Sequence, residues 1–243
     1  MLKRGTAAFD ELKQGIRDIE FLSDPRVGEV HIGCDESIAA ATLPQIVAQF
    51  ARDYPGVSLN VEDLDLRTYP PDVRELGFDV VLTRLQGPGE DSDPFNDLNV
   101  DVLFEDRLVV VAGANSKWVR RRKLHITDLA DEPWILSAPN RWNYRVVAEA
   151  FRARGGAMPK VRLSTLSVHL RANLLTSGEF ITTFPKSVAD FYTRRFGLKV
   201  LPIDLPRHPW PVVALTLKQR TLSPVVTAFI DCARAVANPR SSA

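Results

Sequence analysis

The stretch Gly28–Pro44, GEVHIGCDESIAAATLP, gathers the most chemistry into the fewest residues. Asp35, Glu36 and Ser37 form a polar turn after a short strand, Glu29 to Cys34, and an apolar helix follows. A strand that empties into a helix presents the free N–H groups of the first helical turn, and these favour an anion. A hydroxyl at the turn adds a donor or an acceptor. The combination is a small-molecule site with no nucleophile–base pair. Asp35 and Glu36 oppose an anion there; they select an amine instead, or point to solvent. Ser37 has two readings, a ligand contact or a cap for the helix.

The remaining reactive residues are scattered. Cys34 and Cys232 lie far apart in sequence, as reduced thiols do, and Cys34 reads as a small buried side chain rather than a redox sensor. His31, His125, His169 and His208 have no metal-ligand spacing to cysteines or acids, so no metal is expected. There is no Gly-rich phosphate loop and no nucleophile beside a base, so neither a cofactor nor an enzyme activity is expected. Trp118 to Lys123, WVRRRK, lacks interleaved aromatic residues and a recognition helix, and reads as a solvated connection rather than a nucleic-acid patch. Arg141 to Tyr144 either stacks an aromatic ligand or simply starts an exposed helix.

The elements that position these residues follow from periodicity. The chain has 243 residues, 45% hydrophobic and 25% charged, with a formal net charge of +1. That suits a globular protein with no global pull toward nucleic acid or membrane. No apolar run is long enough for a membrane span, and the N-terminal MLKRGTAAFDELKQ is no signal segment, which predicts a cytoplasmic protein. Leu2, Phe9, Leu12, Ile16 and Ile19 give residues 2 to 22 a narrow seam suited to helix pairing. Leu43, Ile46, Val47 and Phe50 line one face of the helix after the polar turn. Val57 to Val61 alternates as a strand, residues 70 to 77 suit a short helix, and Asp79 to Arg84 is a buried strand. This β-α-β-α-β order predicts a mostly parallel sheet. Residues 86 to 97 form an acidic loop, and Val100 to Ala112 reads as one long strand region.

A second α/β series starts with a turn at Thr127 to Ala130 and a strand at Trp134 to Ser137. A helix from about Tyr144 to Arg154, a strand at Val161 to Thr165 and a helix from Ser167 to Ser177 follow. Phe180 to Phe184 is a strand, Ser187 to Arg195 a helix and Leu198 to Leu205 a strand region. Pro206 to Pro211 makes a stiff crossover. Val212 to Leu217 is a late strand, and Ser223 to Val236 is an amphipathic helix with Pro224 in its first position. Two α/β units and a late return predict two lobes joined by two crossings, with a ligand cleft.

Several segments together resemble LysR-type transcriptional regulators. They are LPQIVAQFARDYPGVSLNVED, FDVVLTR, LFEDRLVVVAG, ITDLADEPWILS, SVHLRANLLTSGEFITTFP and SPVVTAFIDCAR, with the helix before GEVHIG. No one of them is specific, but their order and spacing are. The acidic loop at 86 to 97 is longer than usual for that family, and Phe180 to Pro185 replaces a more aliphatic strand. The resemblance implies an α/β fold of two Rossmann-like lobes with central mixed sheets, like the type 2 periplasmic binding proteins. Its boundaries would be a linker and dimerisation helix at 1–24, lobe I at 28–113 and 212–237, lobe II at 114–206, and a disordered tail at 238–243. It implies an effector-binding and oligomerisation domain without the family's N-terminal winged helix-turn-helix, so that DNA would be met only through that missing part. The alternatives are a solute-binding protein of a transporter and, further off, a cleft enzyme.

By the same resemblance Ser37 occupies a hydroxyl position of the family's effector site, flanked by Asp35 and Ile38. Thr83 and Arg84 end the third strand at the same edge. Ser137 and Asn140 follow one strand of the second lobe, Ser164 and Thr165 end another, and Phe184 and Pro185 close a third. A carboxylate or sulfate on the helix N-terminus would gain about 1 kcal/mol from the N–H donors and the helix dipole. Arg84 would add a charge-assisted bond, or would pair with Asp79 or the acidic loop. The effector class expected is a small organic acid or an aromatic metabolite. A homodimer is expected, through the helices around Leu43–Phe50 and Val168–Leu175, with a tetramer conceivable for a longer protein.

Overall fold

Strand β3, Val80–Arg84, is buried along its whole length, as an apolar strand with neighbours on both edges and cover on both faces must be. It is the centre of a five-stranded sheet of order β2-β1-β3-β10-β4. The other strands are β1 (Gly28–Cys34), β2 (Val57–Asp63), β4 (Leu98–Glu105) and β10 (Pro211–Leu217). β1 runs parallel to β2 and β3, and β10 runs antiparallel to β3 and β4. The computed structural model describes residues 28–64, 77–85 and 95–237, together with Gly15. Apart from Gly15, the helix read at 2–22 lies outside those residues, as do the tail at 238–243, nearly all of the helix read at 70–77 and most of the acidic loop.

Val80 and Leu82 face one core with Val30 and Ile32, and Val81 faces another with Leu64, Phe78 and Leu215. The first core is closed by α2 (Leu43–Asp53) and α6 (Pro224–Ala237), whose Phe50 and Phe229 rings meet edge-on at 5.4 Å. Ser223 precedes α6 and its Oγ accepts from Val226 N at 3.3 Å. The apolar segment after the polar turn is two helices rather than one. The four-residue α1, Glu36–Ala39, ends before α2 begins with Pro44 in its first turn. A proline is tolerated in the first turn because no intrahelical acceptor waits there for its missing N–H.

The chain divides into two compact units, one formed by the residues up to Glu105 with those from Pro211 onward, the other by Asp106–Trp210. The second unit has its own five-stranded sheet, of order β7-β6-β8-β5-β9. Its strands are β5 (Leu108–Gly113), β6 (Trp134–Leu136), β7 (Val161–Ser164), β8 (Ile181–Pro185) and β9 (Leu198–Val200). β6 is parallel to β7 and β8, and β5 is antiparallel to β8 and β9. Its helices are α3 (Trp142–Ala153), α4 (Val168–Leu175) and α5 (Lys186–Phe196). Trp134 anchors the core, fully buried against Phe151 at 6.0 Å between ring centroids, with its Nε1–H donated to the Leu129 carbonyl at 2.8 Å. Gly113 is obligatory at its position, since a Cβ there would lie 1.9 Å from the Leu175 carbonyl oxygen.

Two sequence boundaries need correction. Val100 to Ala112 is not one strand region: β4 and β5 belong to different sheets, and the chain breaks at Asp106 and Arg107. Leu108–Gly113, assigned to lobe I by a boundary at 113, therefore lies in the second unit. The buried Asp106 carboxylate fixes the break, accepting from Arg107 N at 2.8 Å and from Ser187 Oγ at 2.6 Å. The strand read over Leu198 to Leu205 stops at Val200, just ahead of Pro202.

Candidate functional site

Asp35 follows β1 directly and is the N-cap of α1, with extended backbone and a carboxylate turned back onto the helix. Its Oδ1 accepts from Ser37 N at 3.0 Å and from Ile38 N at 3.1 Å. The same oxygen accepts from Ser37 Oγ at 2.5 Å and from Arg84 Nη1 at 3.3 Å. Arg84 Nη1 also donates to Ser37 Oγ. Asp35 and Arg84 are each only 4% exposed. Parallel pairing of β1 with β3 brings the ends of both strands to one edge, which is how residues 49 apart in sequence meet.

This geometry decides the open readings. Asp35, not Ser37, caps the helix, because Asp35 stands at the N-cap, from which its carboxylate meets the second and third amides, while Ser37 lies within the helix. The anion expected on these amides is supplied by the chain itself, so the predicted seat for a ligand carboxylate or sulfate at α1 is taken. Arg84 pairs with Asp35. Asp79 is held by Arg220 Nη2 at 3.1 Å and accepts from His31 N at 2.9 Å. Ile38, expected as an apolar wall, is fully buried in the first unit's core. Thr83 is buried one residue before Arg84.

Cys34 lies beneath this network, fully buried, with its Sγ–H toward the Asp35 carbonyl at 3.5 Å. Burial pushes its thiol well above the usual value, and the Asp35 charge adds to the rise. Burial raises Cys232 too, near Ile46 in the same unit. Both cysteines are free. No group of three or more His, Cys, Asp and Glu residues with metal-binding geometry occurs among the described residues.

In the second unit the expected residues divide. Ser137 is buried and donates to Asn143 Oδ1 at 2.5 Å, which ties the end of β6 to the first turn of α3. That helix has Arg141 at its N-cap, no side-chain cap and no acid in its first turn. Asn140 and Ser164 are exposed. Thr165 Oγ1 accepts from Ser167 N at 3.1 Å. Pro185 is buried at the end of β8, and Phe184 is fully buried, stacked near Tyr192 and covered by the Arg171 guanidinium at 4.6 Å.

Arg171 escaped the sequence reading. It is 4% exposed and donates to the carbonyls of Thr183 at 2.9 Å, Leu166 at 2.8 Å and Ser167 at 3.3 Å. It therefore ties the Leu166–Ser167 turn to β8. An arginine inside an otherwise apolar helix face was the available signal. Asp106 with Ser187 escaped as well, since nothing local marks residues 81 apart as partners.

Two five-stranded mixed sheets flanked by helices make an α/β fold of the type 2 periplasmic-binding class. The chain belongs to the LysR substrate binding domain family, whose model matches residues 23–238. It is 26% identical over 230 residues to the transcriptional dual regulator GltC of Bacillus subtilis strain 168, across 95% of this chain and 73% of GltC. To the HTH-type transcriptional regulator TdcA of Escherichia coli K12 it is 23% identical over 185 residues. That match covers 76% of this chain and 57% of TdcA, so the chain spans a little over half of that relative. Among solved structures, the effector binding domain of QuiR in complex with shikimate superposes with a TM-score of 0.63 at 20% identity, over 88% of this chain and 99% of that one. At that identity the likeness establishes the fold.

Proposed function

We propose that this chain is the effector sensor of a LysR-type transcriptional regulator, and that a small organic molecule bound at the strand ends changes how the whole regulator engages DNA. One observation carries the site: a buried, hydrogen-bonded Asp35–Ser37–Arg84 network at the carboxyl edge of β1 and β3. Buried charge is costly unless paired, and a sheet edge is where α/β domains bind ligands. The family match and the regulators among the relatives support the sensing role, and QuiR shows one domain of this fold holding a small organic acid. The sensor binds its effector without turning it over and works in the cytoplasm, alongside the DNA it controls.

In the second unit, the uncapped N-terminus of α3 beside Ser137 and Asn143 suits an acid group, because its first amides have no carboxylate of their own. The organic-acid reading of the effector is kept on that ground, moved away from α1. The dimer would use the outer faces of α2 and α4, where Pro44, Gln45, Ala48 and Leu170 are exposed. An effector shifts such an assembly only if it binds two of its arrangements unequally.

Thermal-shift measurements against a panel of small carboxylates, hydroxy acids and amines test the site. Compounds that stabilise the wild-type chain should lose that effect in Ser37→Trp, which fills the rim while leaving Asp35 to cap α1. Stabilisation retained in Ser37→Trp would move the effector elsewhere.

A further inference from the structure

The basic run at Lys117 to Lys123, a solvated connection when read by itself, is joined in the fold by cations from another element. A 3-10 turn, Lys117–Arg120, leads into an extended Arg121, and Arg120, Arg121, Arg122 and Lys123 are all exposed. Just beyond them Leu124, Ile126 and Leu129 sink into the core around Trp134, where they meet Phe151 of α3. That packing pins the run to the end of α3, where Arg152 and Arg154 are exposed and Arg154 Nη1 lies 3.3 Å from His125 Nδ1. Residues 117–132 and 151–156 carry seven Lys and Arg against three Asp and Glu. Of those acids, Glu132 is taken by Lys117 at 2.7 Å and Asp128 accepts from His125 N at 2.9 Å. Arg120 to Lys123 and Arg152 make no ion pair among the described residues. The whole second unit shares the bias. Asp106–Trp210 holds 18 Lys and Arg against 8 Asp and Glu, a formal +10, while the rest of the sequence holds 13 against 22, a formal −9. The chain total of +1 conceals this division. The run leads into the amino end of β6, and α3 returns from the carboxyl end of β6 to the amino end of β7. The basic surface therefore lies at the opposite edge of that sheet from Ser137.

We propose that this surface binds the phosphate backbone of duplex DNA without reading its bases. The contact presupposes the regulator reading above, which puts the chain beside DNA, and it lies away from the effector site. Five of the seven cations are arginines, whose planar fork matches phosphate oxygens. No exposed large hydrophobic side chain accompanies them among the described residues. The surface thus lacks both the apolar anchor of a protein interface and the apolar face of a helix lying on a membrane. The absence of interleaved aromatic residues and of a recognition helix argues against base readout, but phosphate contacts need neither.

The test is fluorescence anisotropy of a labelled duplex of about 20 base pairs and arbitrary sequence, titrated with the whole chain at salt from about 50 to 200 mM. With a net charge of only +1 the chain as a whole draws no DNA, so binding has to come from a local surface. The wild type should bind with a Kd of about 10–100 µM at the lowest salt, and log K should fall against log salt with a slope of about −4. Arg121→Ala with Arg122→Ala should weaken binding at least about tenfold, equally for unrelated sequences, and reduce the slope by about 2. Arg194→Ala with Arg195→Ala, an equal charge change at the end of α5, should leave affinity and slope nearly unchanged. All four side chains are exposed, so both variants should keep the wild-type melt. Equal losses in the two variants, or no binding by the wild type, overturn the proposal. So does an oligomer that ignores duplex and dissociates in Arg121→Ala/Arg122→Ala, since the acidic part of a second copy would then be the occupant. A chain that ignores duplex but is stabilised by a small carboxylate overturns this contact and leaves the effector sensor standing. A chain that binds duplex through Arg121 and Arg122 but responds to no small molecule supports this contact and overturns the sensor.

Discussion

At Arg84 and Asp35 the cost of removing one partner far exceeds the value of the pair. Each side chain is almost fully enclosed, so Arg84→Met strands a buried carboxylate and should cost about 3–5 kcal/mol. The drop would be read as a lower urea midpoint at constant m-value. Asp35→Asn combined with Arg84→Met should recover part of the loss, because the stranded charge is then gone. Cys34 gives a pH signature. Its thiol is raised above the ordinary value of 9.0, mainly by burial and then by Asp35. Below that value both folded and unfolded chains hold the proton. Above it the unfolded chain releases the proton while the fold keeps it, so stability falls as pH climbs from 9 toward the raised value. Urea midpoints between pH 8 and pH 10 should therefore fall more steeply for the wild type than for Cys34→Ala; parallel curves would contradict the shift.

Among the elements, β8 and α4 depend most on a single side chain. Arg171 supplies donors to three carbonyls on the turn and strand around it, and its guanidinium covers Phe184. Arg171→Met keeps the apolar stem but leaves those acceptors unpaired in a closed space. It should destabilise the second unit by about 3 kcal/mol, seen as faster hydrogen exchange in β8 and α4. The same pairing of remote groups explains what the sequence showed of the elements. Alternation and helical spacing placed nearly every described strand and helix. They missed the break at Asp106–Arg107, because Leu98–Glu105 and Leu108–Gly113 are both good strand sequences. At the break the Asp106 carboxylate accepts from Arg107 N and from the distant Ser187, a partner that local patterning does not reveal.

For the molecule as a whole, the two units differ in how they are threaded. The second is continuous, Asp106–Trp210, with its own sheet, a core around Trp134 and capped or glycine-closed helices. The first needs β10 and α6 from the far end of the chain. Residues 106–210 expressed alone should therefore fold, with native-like circular dichroism and a cooperative melt, whereas residues 28–105 alone should not. The latter lack β10, the strand that joins β4 to β3. A cooperative melt from 28–105, or none from 106–210, would contradict this division.

The sequence by itself determined the α/β class, the two-part chain order and the family. Those are set by local patterning and by the order of short segments, which need no knowledge of what packs on what. The tertiary structure decided which charges meet. Arg84 reaches Asp35 only because β1 and β3 lie side by side in parallel, and Asp79 goes to Arg220 for a similar reason of placement. An electrostatic contact depends on a few ångströms of separation, and a stretch of chain whose ends are 49 positions apart carries no record of that distance until the sheet has formed.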